Sequence, residues 1–326
     1  MTKKVIKLKY VDHDSTIKSQ DMGPFYEILK SRYDIQFSDN PDYLIYGPFG
    51  DEHLKYFNSV KIFYTGECIT PDFNECDYAV SFDEIDFGDR NFRYPLWLRY
   101  PIEENTMMEN KHIGITDEYF NRGFCSYVVS NDFADPKRDI LFDEISKYKQ
   151  VSSGGRYRNN IGMPSGVEDK IAFQKKFKFS LAFENCSHAG YTTEKLMQAF
   201  ASQTVPIYWG NPDVVKEFNP NSFINCNDYQ NINDLIDRIK YLDENKEDYF
   251  HMLKEPALLD DKVSLKERQN ELAKYLFHIF DQDKEAAFRR NLECWGKKYN
   301  DNMLARKIVY DKKNKYINSI KKILRK

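Results

Sequence analysis

The chain places a lysine, Lys195, in the first turn of what its pattern predicts to be a helix. A cation there opposes the helix dipole, so a bound anion would account for it. The residues leading up to it fit the same chemistry. Phe177 to Phe183 (FKFSLAF) is an apolar run of strand length, closed by Asn185 and a polar loop. Gly190 permits close backbone approach, and Thr192 or Thr193 is a suitable N-cap. Leu196, Ala199 and Phe200 then share one helical face, and residues 205–209 read as a second buried strand, stopped by Gly210-Asn211-Pro212. A strand, a glycine-bearing loop and a helix N-terminus together turn free N–H groups toward an anion such as phosphate.

Other side chains stand where chemistry is done, each with a plainer reading beside it. Glu67 lies just beyond the strand pattern KIFYTG (61–66), at a carboxyl end where open α/β sheets gather their sites. A glutamate in such a place is commonly just solvated. Glu194, in the first turn, favours the helix dipole by ~0.3–1 kcal/mol whatever else it does. Asn185 ends a strand and can make an Asx-turn. His188 is a loop histidine of the sort that is commonly exposed. Arg138, Arg156 and Arg158 are cations that could equally form surface salt bridges. Asp-x-Asp pairs occur at Asp12/Asp14 and Asp281/Asp283, but so short a motif arises easily by chance and neither follows a strand of the second half. Neither G-x-G-x-x-G nor G-x-x-x-x-G-K-[ST] occurs, which removes the main support for a dehydrogenase or a P-loop enzyme.

The elements that must hold these residues alternate between strand and helix. VIKLKYV (5–11), DYLIYGP (42–48), KIFYTG (61–66) and DYAVSF (77–82) read as strands, and PFYEILKSRY (24–33) as an amphipathic helix. A linker is expected within 103–122. A second series starts at FCSYVVSN (124–131), continues in the helix DILFDEISKY (139–148), and runs through the 183–212 stretch. Helices dominate after Ile232. The expected organisation is α/β, with two Rossmann-like domains over 1–120 and 121–295 and a basic amphipathic tail over 296–326.

At 326 residues the chain is natural for two domains, and a hydrophobic content of 41% supports a sizeable core. An aromatic content of 15% fits stacking on sugar faces, although AT-rich codons would enrich Tyr and Phe as well. No apolar run approaches the ~20 residues that span a bilayer. MTKKVIKLKYVDHD lacks the apolar core of a signal peptide. The six cysteines form no C-x-x-C pair and no small disulfide framework, so a reduced cytoplasm is expected. Residues 296–326 carry eleven Lys/Arg against Asp301 and Asp311, a charge of +9. The rest of the chain therefore carries −12 of the total −3, and an acidic body argues against nucleic acid. Ile317, Ile320, Ile323 and Leu324 among the tail's lysines make the stripe of a membrane-surface helix, or of one that packs on the protein.

Three blocks, FENCSHAGYTTEK (183–195), VPIYWGNP (205–212) and FNPNSFIN (218–225), resemble the signature of family-10 glycosyltransferases, the α1,3/4-fucosyltransferases that use GDP-fucose. KIFYTGE (61–67), CDYAVSFDEIDFGDRNFRYPLW (76–97) and SSGGRYRNNIG (152–162) resemble bacterial members, in the same order along the chain. The resemblance implies a GT-B fold, two Rossmann-like domains facing a cleft, and inverting transfer of L-fucose from GDP-fucose. The implied acceptor is an N-acetylglucosamine-containing oligosaccharide or glycolipid, such as lipopolysaccharide, linked α1,3. It further implies Glu67 as the base that deprotonates the acceptor hydroxyl. Arg158 and Lys195, with Tyr191, would meet the diphosphate, Asn185 the donor, and Glu194 the ribose. No cofactor is required, and a divalent metal at most stimulates. The tail would lie on the inner face of a bacterial membrane. The aromatics of NFRYPLWLRY (91–100) would line the acceptor groove, with Leu96 and Leu98 turned to the core. Two rival readings are a GT-B transferase using another nucleotide sugar and a non-catalytic glycan-binding protein.

Overall fold

The computed structural model describes residues 2–13, 25–100, 103, 114–259 and 265–324, the last seven of these by backbone alone. Two parallel sheets form the frame. In the first, β1 (Val5–Val11), β2 (Asp34–Phe37), β3 (Tyr43–Tyr46), β4 (Val60–Tyr64), β5 (Tyr78–Ser81) and β6 (Asn91–Arg93) lie in the order β2-β1-β3-β4-β5-β6. In the second, β7 (Gly123–Tyr127), β8 (Val151–Ser153), β9 (Phe177–Phe183), β10 (Val205–Trp209) and β11 (Ile224–Asn225) lie in the order β11-β10-β9-β7-β8. Every pairing is parallel. Each sheet therefore starts one strand in from an edge and winds outward both ways. Such sheets hold ligands beyond the strands' carboxyl ends where the winding reverses. Those points fall between β1 and β3 and between β7 and β9.

Central strands are covered on both faces, which is why they read as unbroken apolar runs. Every residue of β3, β4, β5 and β10 is buried. The second sheet is covered by α3 (Pro136–Tyr148), α6 (Ile232–Glu244) and α7 (Lys246–Lys254), which follow α1 (Phe25–Arg32) and the single-turn α2 (Asp117–Phe120). The short α4 (Lys170–Gln174) and α5 (Glu194–Ala201) flank β9. The apolar face of α5 does not stay in its own domain. Leu196, Met197, Ala199 and Phe200 join the core that contains the first sheet. Trp97 packs 5.1 Å from Phe218 at this seam.

The chain does not divide at 295 as expected. From α8 (Leu265–Asp281) through α9 (Lys284–Ala287) it returns to the first sheet. Phe280 packs 4.5 Å from Tyr43, and the Tyr275 hydroxyl donates to the carbonyls of Ala79 and Arg90. Arg290, buried, donates through Nε to Asp77 Oδ2 at 3.0 Å, while the Arg289 and Arg290 amides donate to Asp77 Oδ1. Such a buried pair fixes the return in one register, since a lone charge there would be costly. Apart from Glu103 and residues 114–122, the expected linker lies outside the described residues.

The final helix, α10 (Cys294–Leu324), is one continuous element. Lys307 pairs with Asp51 at 2.5 Å, and the Tyr299 hydroxyl donates to Asp72 at 3.3 Å. Ile308, Val309, Tyr310 and Tyr316 are exposed. Among the described residues no helix is long and apolar enough to cross a membrane.

Candidate active site

The sharp exit from β9 builds the donor side. Phe183 ends the strand, and the next residue, Glu184, is fully buried. Its Oε1 accepts the Thr193 amide at 2.8 Å, and its Oε2 accepts the Thr193 hydroxyl at 2.7 Å and Lys195 Nζ at 3.0 Å. Lys195 Nζ also donates to Thr193 Oγ1 at 2.9 Å. Thr193 sits at the predicted N-cap position of α5, yet its hydroxyl serves Glu184 instead of capping the helix. The lysine that looked misplaced on the helix has a protein anion as its partner. Burial alone would discharge Lys195, but the carboxylates of Glu184 and Glu194 more than offset it and hold its proton more firmly than usual. Two of its three N–H donors are used, leaving one for a further oxygen. Burial works against the charge of Glu194 too, but Lys195 and Lys170 keep it ionised below its ordinary range. Lys170, at the start of α4, thus belongs to the same charged group, a residue the sequence reading did not single out.

The loop between Glu184 and Thr193 is held by Asn211, another residue missed. Its Oδ1 accepts the Gly190 and Asp213 amides, at 2.8 and 2.9 Å, and its Nδ2 donates to Thr192 Oγ1. Gly190 has φ +79, and a Cβ there would lie 2.5 Å from the Phe82 carbonyl oxygen. Only glycine lets this loop touch the first domain so closely. Beside it Tyr191 is buried, with its ring 5.1 Å from Phe82. Burial first, then Glu184 and Glu67, raise the proton affinity of its phenol. His188, exposed, sits edge-on to Phe82 with Nδ1 3.8 Å from Asp83.

The arginines divide differently from the sequence expectation. Arg158, at φ +53, lies on α3, paired with Asp143 and at 3.5 Å with Asp139. Arg138 is the one that meets the 183–195 stretch. It is buried, with Nη1 donating to Asn185 Oδ1 at 2.9 Å and Nη2 to the Asn131 carbonyl at 2.6 Å. Its Nε has no partner among the described residues. Asn185 is therefore aimed by Arg138. Gly155 packs directly on the strand β7 exit, since a Cβ there would lie 1.8 Å from the Val129 carbonyl oxygen.

Across the cleft, Glu67 follows β4 in a tight turn, its amide donating to Thr65 Oγ1 at 2.9 Å. The half-buried carboxylate takes no hydrogen bond or ion pair among the described residues. The two domains are clasped around this gap: Arg93 pairs with Glu217 at 2.9 Å, Trp97 Nε1 donates to the same carboxylate, and Lys216 meets Glu84 at 3.0 Å. The aromatic segment 91–100 was expected to line an acceptor groove. Leu98 is in the core as expected, but the structure also sends the aromatics Tyr94 and Trp97 there and stacks Phe92 on Tyr275 at 5.1 Å, because β6 and the turn after it form the seam. One aspartate of each Asp-x-Asp pair is occupied structurally. Asp12 accepts from the amides of Glu52 and His53, and Asp281 from Arg32 and Tyr33, while Asp14 lies outside the described residues. The cysteine expectation also needs correcting, since Cys68 and Cys186 are joined sulfur to sulfur across the cleft.

Glu67, Glu194 and Lys195 thus all act on the buried Tyr191, Asn185 is held by Arg138, and Arg158 faces α3. Comparison with known proteins places this arrangement. Residues 8–100 match the model of the alpha-(1,3)-fucosyltransferase FucT N-terminal domain, and residues 121–255 that of the glycosyltransferase family 10 (fucosyltransferase) C-terminal region. An alpha-(1,3)-fucosyltransferase of Helicobacter pylori is 38% identical over 288 residues, 77% of this chain. The match spans 60% of that relative's length. An alpha-(1,3)-fucosyltransferase of Bos taurus is 32% identical over 127 residues, 38% of this chain and 31% of its own. A crystal structure of an alpha1,3-fucosyltransferase with GDP-fucose superposes with a TM-score of 0.74 at 31% identity, covering 89% of this chain and 94% of that one. The same enzyme class with GDP gives 0.73 at 32% identity, covering 86% and 92%. With both sheets, their order along the chain and nearly the whole of a solved relative matched, the chain belongs to glycosyltransferase family 10, the fucosyltransferases.

Proposed function

We propose that the chain transfers L-fucose from GDP-fucose, with inversion, to a hydroxyl of an N-acetylglucosamine-containing glycan, forming an α1,3 linkage on a bacterial lipopolysaccharide or surface glycan. The acceptor oxygen attacks C1 of fucose from the face opposite the diphosphate. The new O–C1 bond forms as the bond from C1 to the phosphate oxygen breaks, GDP leaves, and the hydroxyl proton passes to Glu67. Lys195 and Arg158 stabilise the charge growing on the diphosphate, Tyr191 and Asn185 flank it, and Glu194 holds the ribose. For Arg158 this requires its guanidinium to exchange Asp143 for phosphate.

The observation that carries the reading is the carboxylate of Glu67, unpartnered among the described residues, whose charge reaches Tyr191 in the Lys195 loop. A base must be free to take a proton and close to the leaving group's site. Glu67→Gln keeps the shape and removes the basic function. We expect the melting temperature and GDP affinity to stay near those of the parent protein while initial transfer rate falls by roughly 10²–10⁴-fold. Full activity would remove Glu67 from the mechanism. Lost GDP affinity together with lost stability would make it structural.

Fixed cations take the place a metal would hold in this proposal, so transfer should persist in EDTA. Complete loss that Mn²⁺ restores would overturn that. On the same footing we place the protein in the cytoplasm, with α10 against the inner face of the membrane.

A further inference from the structure

Cys68 and Cys186 belong to different domains, 118 positions apart in sequence, and their Cα atoms face each other at 7.0 Å. Each directly follows a residue of the cleft, Glu67 on one side and Asn185 on the other. Both loops are pinned. The Glu67 turn is closed by its amide on Thr65 and by the Ile69 amide on the Glu67 carbonyl, at 2.9 and 2.8 Å. The Asn185 carbonyl accepts the Asp135 amide at 2.8 Å, and the Ser187 hydroxyl donates to the Gly210 carbonyl at 2.8 Å. A bond between the sulfurs is therefore felt at the two neighbouring side chains. Cys76, Cys125 and Cys226 are buried and unpaired, whereas Cys68 and Cys186 are only half-buried and open to small reagents.

We propose that Cys68 and Cys186 form a reversible thiol-modification site that gates the cleft: the dithiol form transfers, and the disulfide form is shut. The inference rests on the reading of Glu67 as base and Asn185 as donor contact. In the oxidised form the bond joins the residues next to those two and ties the domains together, so the loops that carry Glu67 and Asn185 cannot part to admit an acceptor. The co-reactant is a small-molecule disulfide of the glutathione type. One cysteine thiolate attacks it and releases a thiol; the second cysteine attacks the mixed disulfide and releases another. The protein loses two electrons and two protons, and the small disulfide gains them. Cytosolic disulfides are characteristically transient and redox-sensing, which suits such a gate.

The test uses the full chain carrying Cys294→Ser, to remove the exposed thiol, after incubation with oxidised glutathione or with dithiothreitol. Peptide mass mapping reads the Cys68–Cys186 link, and initial transfer from GDP-fucose reads function. The expected result is a linked peptide, a fall in rate of at least about tenfold as expected for displaced reacting groups, recovery in dithiothreitol, and no response in Cys186→Ser. A linked peptide with unchanged or raised rate overturns the gate, as does failure to form the link, or an equal fall in Cys186→Ser. If the reduced chain transfers no fucose, it is the fucosyltransferase reading that fails, and the link can still be scored by mass.

Discussion

Two of the three Lys195 donors go to Glu184 and Thr193, both inside the protein, and this sets up a distinction that mutation can draw. If Lys195 only neutralises Glu184, removing both charges together should restore everything. If it also meets a diphosphate, the fold can be rescued but not the rate. Lys195→Met alone leaves the fully buried Glu184 carboxylate with only the Thr193 amide and hydroxyl, and Glu184→Gln alone leaves the cation with Glu194 and Thr193; either should cost up to about 3–5 kcal/mol, the usual penalty for breaking a buried pair. The double variant should regain most of that stability in thermal or urea melts. Turnover should stay down by on the order of 10²-fold, as when one preorganised donor is lost. Arg158→Ala should lower turnover similarly with little change in melting, because its partners Asp139 and Asp143 are both partly exposed, at 35% and 53%. Recovered turnover in the double variant would confine Lys195 to a structural role.

At the level of elements, α10 carries the membrane proposal. Its described portion beyond Leu304 is tied down by Lys307 on Asp51 while Val309, Tyr310 and Tyr316 face outward. Ending the chain after Leu304 removes that exposed ion pair, worth at most about 1 kcal/mol. Transfer to soluble acceptors should be largely intact, and co-sedimentation with anionic vesicles should weaken, each surface cation contributing ~1 kcal/mol. A truncated chain that unfolds would show the stripe to be core. The sequence made some elements plain and hid others for one reason. β9 and β10 match their predicted bounds because both faces are covered and their residues run apolar. β2 (DIQF), β6 (NFR) and β8 (VSS) escaped notice because edge or near-edge strands are short and need few apolar side chains. In the site, Glu67 and Lys195 were legible from their places at a strand end and a helix start. Glu184 and Asn211 were not, and Arg138 could not be told from its neighbouring arginines, because their work is to hold residues distant in sequence.

For the whole molecule, the domains are less separate than a two-part sequence suggests. The buried face of α5 sits in the first domain's core, Arg93 and Trp97 share Glu217, and α8 and α9 cross back to cover the first sheet. No local pattern announces that return, since an amphipathic helix fits either sheet equally well until Arg290 finds Asp77. The crossing also imposes an order in time. As the chain leaves the ribosome, the first sheet lacks the helices against which Tyr43 and Tyr78 pack, and Asp77 lacks its arginine. The second sheet, closed by Lys254, has all its strands and covering helices well before then. The half made first is thus the half finished last, its apolar face uncovered while nearly two hundred further residues are synthesised. Long-range closure of this kind is slow and exposed to misassociation.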